Sequence, residues 1–156
     1  MMNWRDLALQ ALLLWWRITK PTVIGVRGIV TDEHGRVLFV RHSYGNRSWI
    51  FPGGGQKGDE AADESTVREM REETGLEVET TRLVGVYLSR LSYKRDNIFV
   101  FECKQVGGTL KQVGGEIAEA CWFPPDAPPE PLAPGVSNVL ADWRQGGGVG
   151  YGRWED

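Results

Sequence analysis

The stretch that most constrains this chain runs from Gly53 to Leu76, GGGQKGDEAADESTVREMREETGL. Four glycines, Gly53, Gly54, Gly55 and Gly58, open it with a loop whose backbone can approach another group closely. From Asp59 to Thr74 no Gly or Pro intervenes, and Ala, Glu, Arg and Met are frequent, which predicts a helix stopped by Gly75. Glu69, Glu72 and Glu73 recur at spacings of three and four, so they stand within roughly 100° of one another around the axis. Carboxylates that close repel one another unless arginines or a divalent cation stand among them. Hard oxygen ligands of this kind suit Mg²⁺ or Mn²⁺. Arg68 reaches Glu72 at i,i+4, while Val67, Met70 and Thr74 form a separate apolar stripe for a core. By itself, such a pattern reads as a solvated, charge-laced surface helix.

The pattern does not stand by itself. Gly54, Glu60, Arg68-Glu69-Met70, Glu72-Glu73, Gly75 and Leu76 fill every defined position of G-x5-E-x7-R-E-U-x-E-E-x-G-U, where U is a bulky aliphatic residue. The stretch therefore resembles the Nudix box, and the chain is similar to the Nudix hydrolase superfamily. That resemblance implies an α+β fold, a mixed β-sheet sandwiched between α-helices (α/β/α). It also implies cleavage of the phosphoanhydride of a nucleoside diphosphate linked to another moiety, X, by water activated with a divalent metal. Glu69, Glu72 and Glu73 would hold Mg²⁺ or Mn²⁺, joined by a carbonyl at Gly53 or Gly54. Gly54, Glu60, Arg68 and Gly75 take structural roles, with Glu60 and Arg68 holding the loop to the helix. Arg41, at the end of a strand, is the candidate phosphate contact, and His42 a weaker one. Glu116, in the loop before the strand ending at Trp122-Phe123, is the candidate extra metal ligand or general base. The base remains open between Glu116 and the helix glutamates. Glu119 is read as solvent-facing or one shell further out.

The remaining sequence frames a small enzyme. A chain of 156 residues is one domain with a real core, and 41% hydrophobic with 25% charged residues is ordinary for a globular protein. The net charge of -3 offers no broad basic surface, so a stable nucleic-acid complex is not expected and a small nucleotide is the favoured substrate. No G-K-[ST] follows the glycines, which excludes a P-loop kinase or ATPase. Cys103 and Cys121 lack metal-like spacing and read as buried reduced thiols, which favours a cytoplasmic protein.

Three segments follow in order: an N-terminal apolar helix (1–20), the catalytic domain (21–144), and a glycine-rich tail (145–156) expected to be mobile. The apolar run Asp6 to Trp16 is too short to span a bilayer, which takes about 20 residues. Packing on the domain or on a second subunit in a homodimer is its favoured role. Membrane-surface contact by residues 6–16 is the less favoured one. Strands are expected over Val23–Val30, Val37–Arg41, Leu83–Leu91 and Ile98–Cys103, a hairpin turn at Gly107-Gly108, and a last helix from Gly135 to Trp143. His34 reads as a turn residue, and Trp49 to Pro52 as structural residues leading into the glycine loop. The competing functional reading is an inactive module of this fold that binds a nucleotide or partner. The complete set of box acids argues against it.

Overall fold

The computed structural model describes residues 4–111 and 114–155. Helix α1 spans Trp4–Thr19, α2 Ala62–Thr74 and α3 Val136–Gln145. The strands are β1 (Thr22–Val30), β2 (Val37–His42), β3 (Trp49–Ile50), β4 (Leu76–Ser89), β5 (Arg95–Gly108), β6 (Ile117–Phe123) and β7 (Gly150–Arg153). They form a mixed four-stranded sheet in the order β1-β5-β4-β7 and a three-stranded antiparallel sheet in the order β3-β2-β6.

Strand alternation creates the layers. Ile29, Val37 and Phe39 point to one side, where they pack with Val84, Val100 and the α3 residues Val136, Val139 and Leu140. Their neighbours Val30 and Leu38 point to the other side, against Met70 of α2, Leu76, Val78 and Cys103. A period of two thus gives each strand one face for each helix. The α/β/α sandwich follows, with the sheet layer divided between two sheets rather than one.

Several elements differ from the sequence expectation. Helix α2 begins at Ala62 instead of Asp59, because Glu60 closes a turn back to Lys57 and Gly58 adopts φ 52°. The Ala61 N–H is capped by the Glu64 carboxylate at 2.9 Å. At the far end Gly75 sits at φ 79°, its N–H bonded to the Arg71 carbonyl. The chain then enters β4 at once, well before Leu83. Leu76 and Val78 face inward while Glu77 and Glu79 face out, an alternation already present in the sequence. Gly107 and Gly108 are not a hairpin turn; they pair with Glu77 and Leu76 at the end of β5. Cys103 is buried, but Cys121 is exposed, and both thiols are free.

The tail is a further correction. Residues 150–153 add β7 in parallel to β4, from Gly85↔Gly150 to Leu88↔Arg153. Trp154 is 3% exposed and stands edge-on to Tyr87 at 6.1 Å. One Glu155 carboxylate oxygen accepts from the Ser89 hydroxyl and the Arg90 and Leu91 N–H groups. An aromatic anchor and an otherwise unpaired sheet edge outweigh the entropy of the glycines.

Candidate active site

The glycine loop is held as an extra strand beside β1. The Val26 and Gly28 N–H groups donate to the Gly54 and Pro52 carbonyls at 2.8 and 2.9 Å, and the Gln56 N–H donates to Ile24. Behind it, Phe51 is fully buried and stacks on Phe39 at 5.1 Å. The glycines are required by what crowds them. A Cβ on Gly53, at φ 148°, would meet the Val26 carbonyl oxygen at 2.1 Å, and one on Gly54 would meet the Glu69 carboxyl carbon at 2.6 Å.

Arg68 ties loop to helix. Its Nε and Nη2 donate to the two Glu60 carboxylate oxygens at 2.6 and 2.9 Å, and Nη2 also donates to the Gly55 carbonyl. This fork holds the Glu60 carboxyl down at about 2, with the Ser65 hydroxyl helping, and it raises the pKa of Arg68. The remaining Arg68 nitrogen lies 2.6 Å from Glu69 and 3.3 Å from Glu72.

Glu69 and Glu73 are both 8% exposed, whereas Glu72 is open to solvent beside Lys57 at 3.5 Å. Glu73 takes the Gly53 N–H at 2.8 Å, and its other oxygen lies 4.0 Å from His42 Nε2. Burial pushes its carboxyl up to about 7, opposed by the Gly53 bond and the Arg27 charge and reinforced by Glu69 and Glu116. Burial, then the charge of Arg27, lowers the pKa of His42, opposed by Glu116.

These groups line one cleft of about 720 Å³, walled by Glu69, Glu72, Glu73 and Glu116 together with Gly53–Lys57, Arg27, His42, Tyr44, Asp96 and Trp16. Glu116 reaches it from the loop before β6, whose backbone is fixed by the Ser43 N–H. Among the described residues, three buried polar side-chain atoms lack a hydrogen-bond partner: Arg27 Nε, His42 Nδ1 and Asp96 Oδ1. All three residues belong to this cleft. Unsatisfied buried groups are rare in folded proteins, and here they collect at one place. A larger cavity of about 880 Å³, along β5 and Thr31–Glu33, holds none of the box glutamates.

Arg41 lies elsewhere. Its guanidinium is bonded to Glu119 and lies 5.2 Å over the Trp49 ring, outside the cleft lining. Arg27, Lys57 and Lys94 are the cations that line the cleft with the glutamates, and the sequence reading passed over them, as it did Tyr44, Asp96 and Trp16. Arg27 stands in a run of Val, Ile and Gly, and a lone charge in such a strand was the available signal. Among the described residues, no three Asp, Glu, His or Cys side chains already stand together in a form that could hold an ion. Arg68 instead occupies the oxygens of Glu69 and Glu72. The donor set nonetheless fits a hard divalent cation. It offers carboxylate oxygens only, and Glu73 carries a charge that burial opposes and a cation would relieve.

Residues 21–143 match the family model described as NUDIX domain. A MutT-like protein of Streptomyces ambofaciens is 34% identical over 125 residues, 80% of this chain and 79% of that protein. An RNA pyrophosphohydrolase of Teredinibacter turnerae is 39% identical over 66 residues, 42% of this chain and 39% of that one. A solved UDP-X diphosphatase superposes with a TM-score of 0.71 at 25% identity, covering 97% of this chain and 76% of that one. The family model, the complete box and the sandwich that presents it agree: this chain belongs to the Nudix hydrolase family.

Proposed function

We propose that the chain hydrolyses the phosphoanhydride of a small nucleoside diphosphate linked to another moiety, using Mg²⁺ or Mn²⁺. The observation that carries this reading is the convergence of four glutamates, from α2 and the loop before β6, on a cleft also lined by Arg27, His42 and Asp96, each with a buried unpartnered polar atom. Glu69, Glu72 and Glu73 would hold the metal, with the Gly53 carbonyl, since Pro52, Gly54 and Gly55 use theirs to bond Gly28, Val26 and Arg68. A bound divalent ion supplies charge for the phosphate oxygens and lowers the pKa of an attached water.

The protein does the rest. Arg27, which lines the cleft and whose Nε is buried without a partner, would face the polyanion. Arg68 and the glycine loop fix Glu69 against Gly54, and Arg68 would release the Glu69 and Glu72 oxygens when a cation takes them. Glu116, exposed in the same cleft lining, would take the proton from the attacking water. The relatives carry different substrate names, RNA and UDP-X among them, so the moiety X is read from assay.

The test is a phosphate-release screen of purified protein over nucleoside triphosphates, nucleotide sugars and dinucleoside polyphosphates, with Mg²⁺, Mn²⁺ or chelator. Metal-dependent cleavage of one class supports the reading and names X. Tight nucleotide binding with no turnover under any metal overturns it.

A further inference from the structure

Helix α1 has no buried residue. Its inner face, Leu9, Leu13 and Trp16, is half-buried on the domain. Its outer face is a single apolar stripe: Trp4, Leu7, Ala11, Leu14, Trp15 and Ile18 lie within roughly a 100° arc at 3.6 residues per turn. These side chains are wide open, with Trp4 at 70%, Trp15 at 63% and Ile18 at 74% exposure. A stripe of this size left to water marks a surface that something covers.

What covers it is indicated by charge. The C-terminal end of α1 is tied to the turn Leu91–Tyr93 and the start of β5: Arg17 lies over the Tyr93 ring and the Arg95 N–H bonds the Pro21 carbonyl. There Lys20, Arg90 and Arg95, with Tyr93 and Lys94, wall a cavity of about 440 Å³ that has no acidic residue in its lining. Lys94 itself is paired with Asp96 at 2.8 Å and lies over the Trp16 ring, so Lys20, Arg90 and Arg95 carry the positive face. Leu91 and Tyr93, 42% and 52% exposed, sit beside these cations. In a chain of net charge -3, so concentrated a positive patch next to an apolar stripe is complementary to an anionic amphiphilic surface.

We propose that α1 and the Lys20–Arg90–Arg95 cluster dock this protein on an anionic lipid bilayer, with α1 lying in the interface. No helix among the described residues is long and apolar enough to cross a membrane. Trp4 and Trp15 suit the headgroup level, where an aromatic body and an N–H are both accommodated. Because Trp16 on the inner face of α1 also lines the glutamate cleft, docking holds the cleft mouth next to the lipid surface. The proposal does not depend on the chemistry of that cleft.

The experiment is co-sedimentation of the full chain with vesicles of phosphatidylcholine alone or mixed with phosphatidylglycerol. Two variants are compared, Leu14→Ser/Trp15→Ser/Ile18→Ser and Arg90→Ser/Arg95→Ser. The wild type is expected on the anionic vesicles, with at least about tenfold weaker partitioning for either variant or for neutral lipid. Nucleotide turnover in solution and the melting temperature should be the same in all three proteins. Equal partitioning of wild type and triple variant, or no partitioning at all, overturns the proposal. So does a dimer in sedimentation velocity that the stripe substitutions dissolve, or inorganic phosphate binding at the cluster without vesicle binding.

Discussion

Glu73 offers the most discriminating perturbation. Its carboxyl moves from 4.5 to about 7 on folding because it is buried under the glycine loop. The folded value lies above the unfolded one, so the native state binds the proton more tightly across that window. Stability therefore falls as pH rises from about 4.5 to about 7, by about 1.4 kcal/mol per pH unit and about 3 kcal/mol in all. Glu73→Gln keeps the shape and an acceptor for the Gly53 N–H while removing the charge. In chelator the variant is expected to match wild type near pH 4 and to exceed it near pH 8. The gain is roughly 6–12 °C in melting temperature for a chain of this size. Divalent metal should reverse the order, since a cation bound by the carboxylate stabilises only the wild type. Turnover of the variant should fall by orders of magnitude. Melting curves from pH 4 to 8, with chelator and with Mg²⁺, read all of this. A difference between the two proteins that stays flat with pH would refute the buried-carboxylate reasoning, and near-normal turnover would remove Glu73 from the site.

Four further outcomes follow from the packing. Gly54→Ala places a methyl group 2.6 Å from the Glu69 carboxyl carbon, so activity should fall far more than melting temperature; equal loss of both would point to general unfolding. Arg68→Lys keeps the charge but loses the fork on Glu60, and should cost about 1–2 kcal/mol in denaturant melts as well as lower kcat. Trp154→Ala empties a site that is 3% exposed and should cost about 3–5 kcal/mol, measured by chemical denaturation; a neutral result would mean that β7 does not dock. Cys121 should react with a thiol reagent in the native protein, whereas Cys103, pushed up to about 12 chiefly by burial, should react only on unfolding.

The glutamate helix, its glycine loop and its stop at Gly75 were legible in the sequence because each is a local matter. Residues three and four apart share a helix face whatever surrounds them, and an αL stop needs only its own glycine. The α3 core residues Val136, Val139 and Leu140 were legible for the same reason. Distance along the chain hid the rest. The wall facing the glutamates is assembled from Arg27 on β1, His42 on β2, Asp96 on β5 and Trp16 on α1, and no spacing rule links them. Arg41 and His42 are adjacent in sequence, yet strand alternation sends one to Glu119 and the other to Glu73. The tail reads as glycine linker until an unpaired edge of β4 and a pocket for Trp154 exist to receive it. Local backbone chemistry fixed which acids share a helix face, and tertiary packing decided what they face, because burial and cleft walls are properties of elements far apart in the chain.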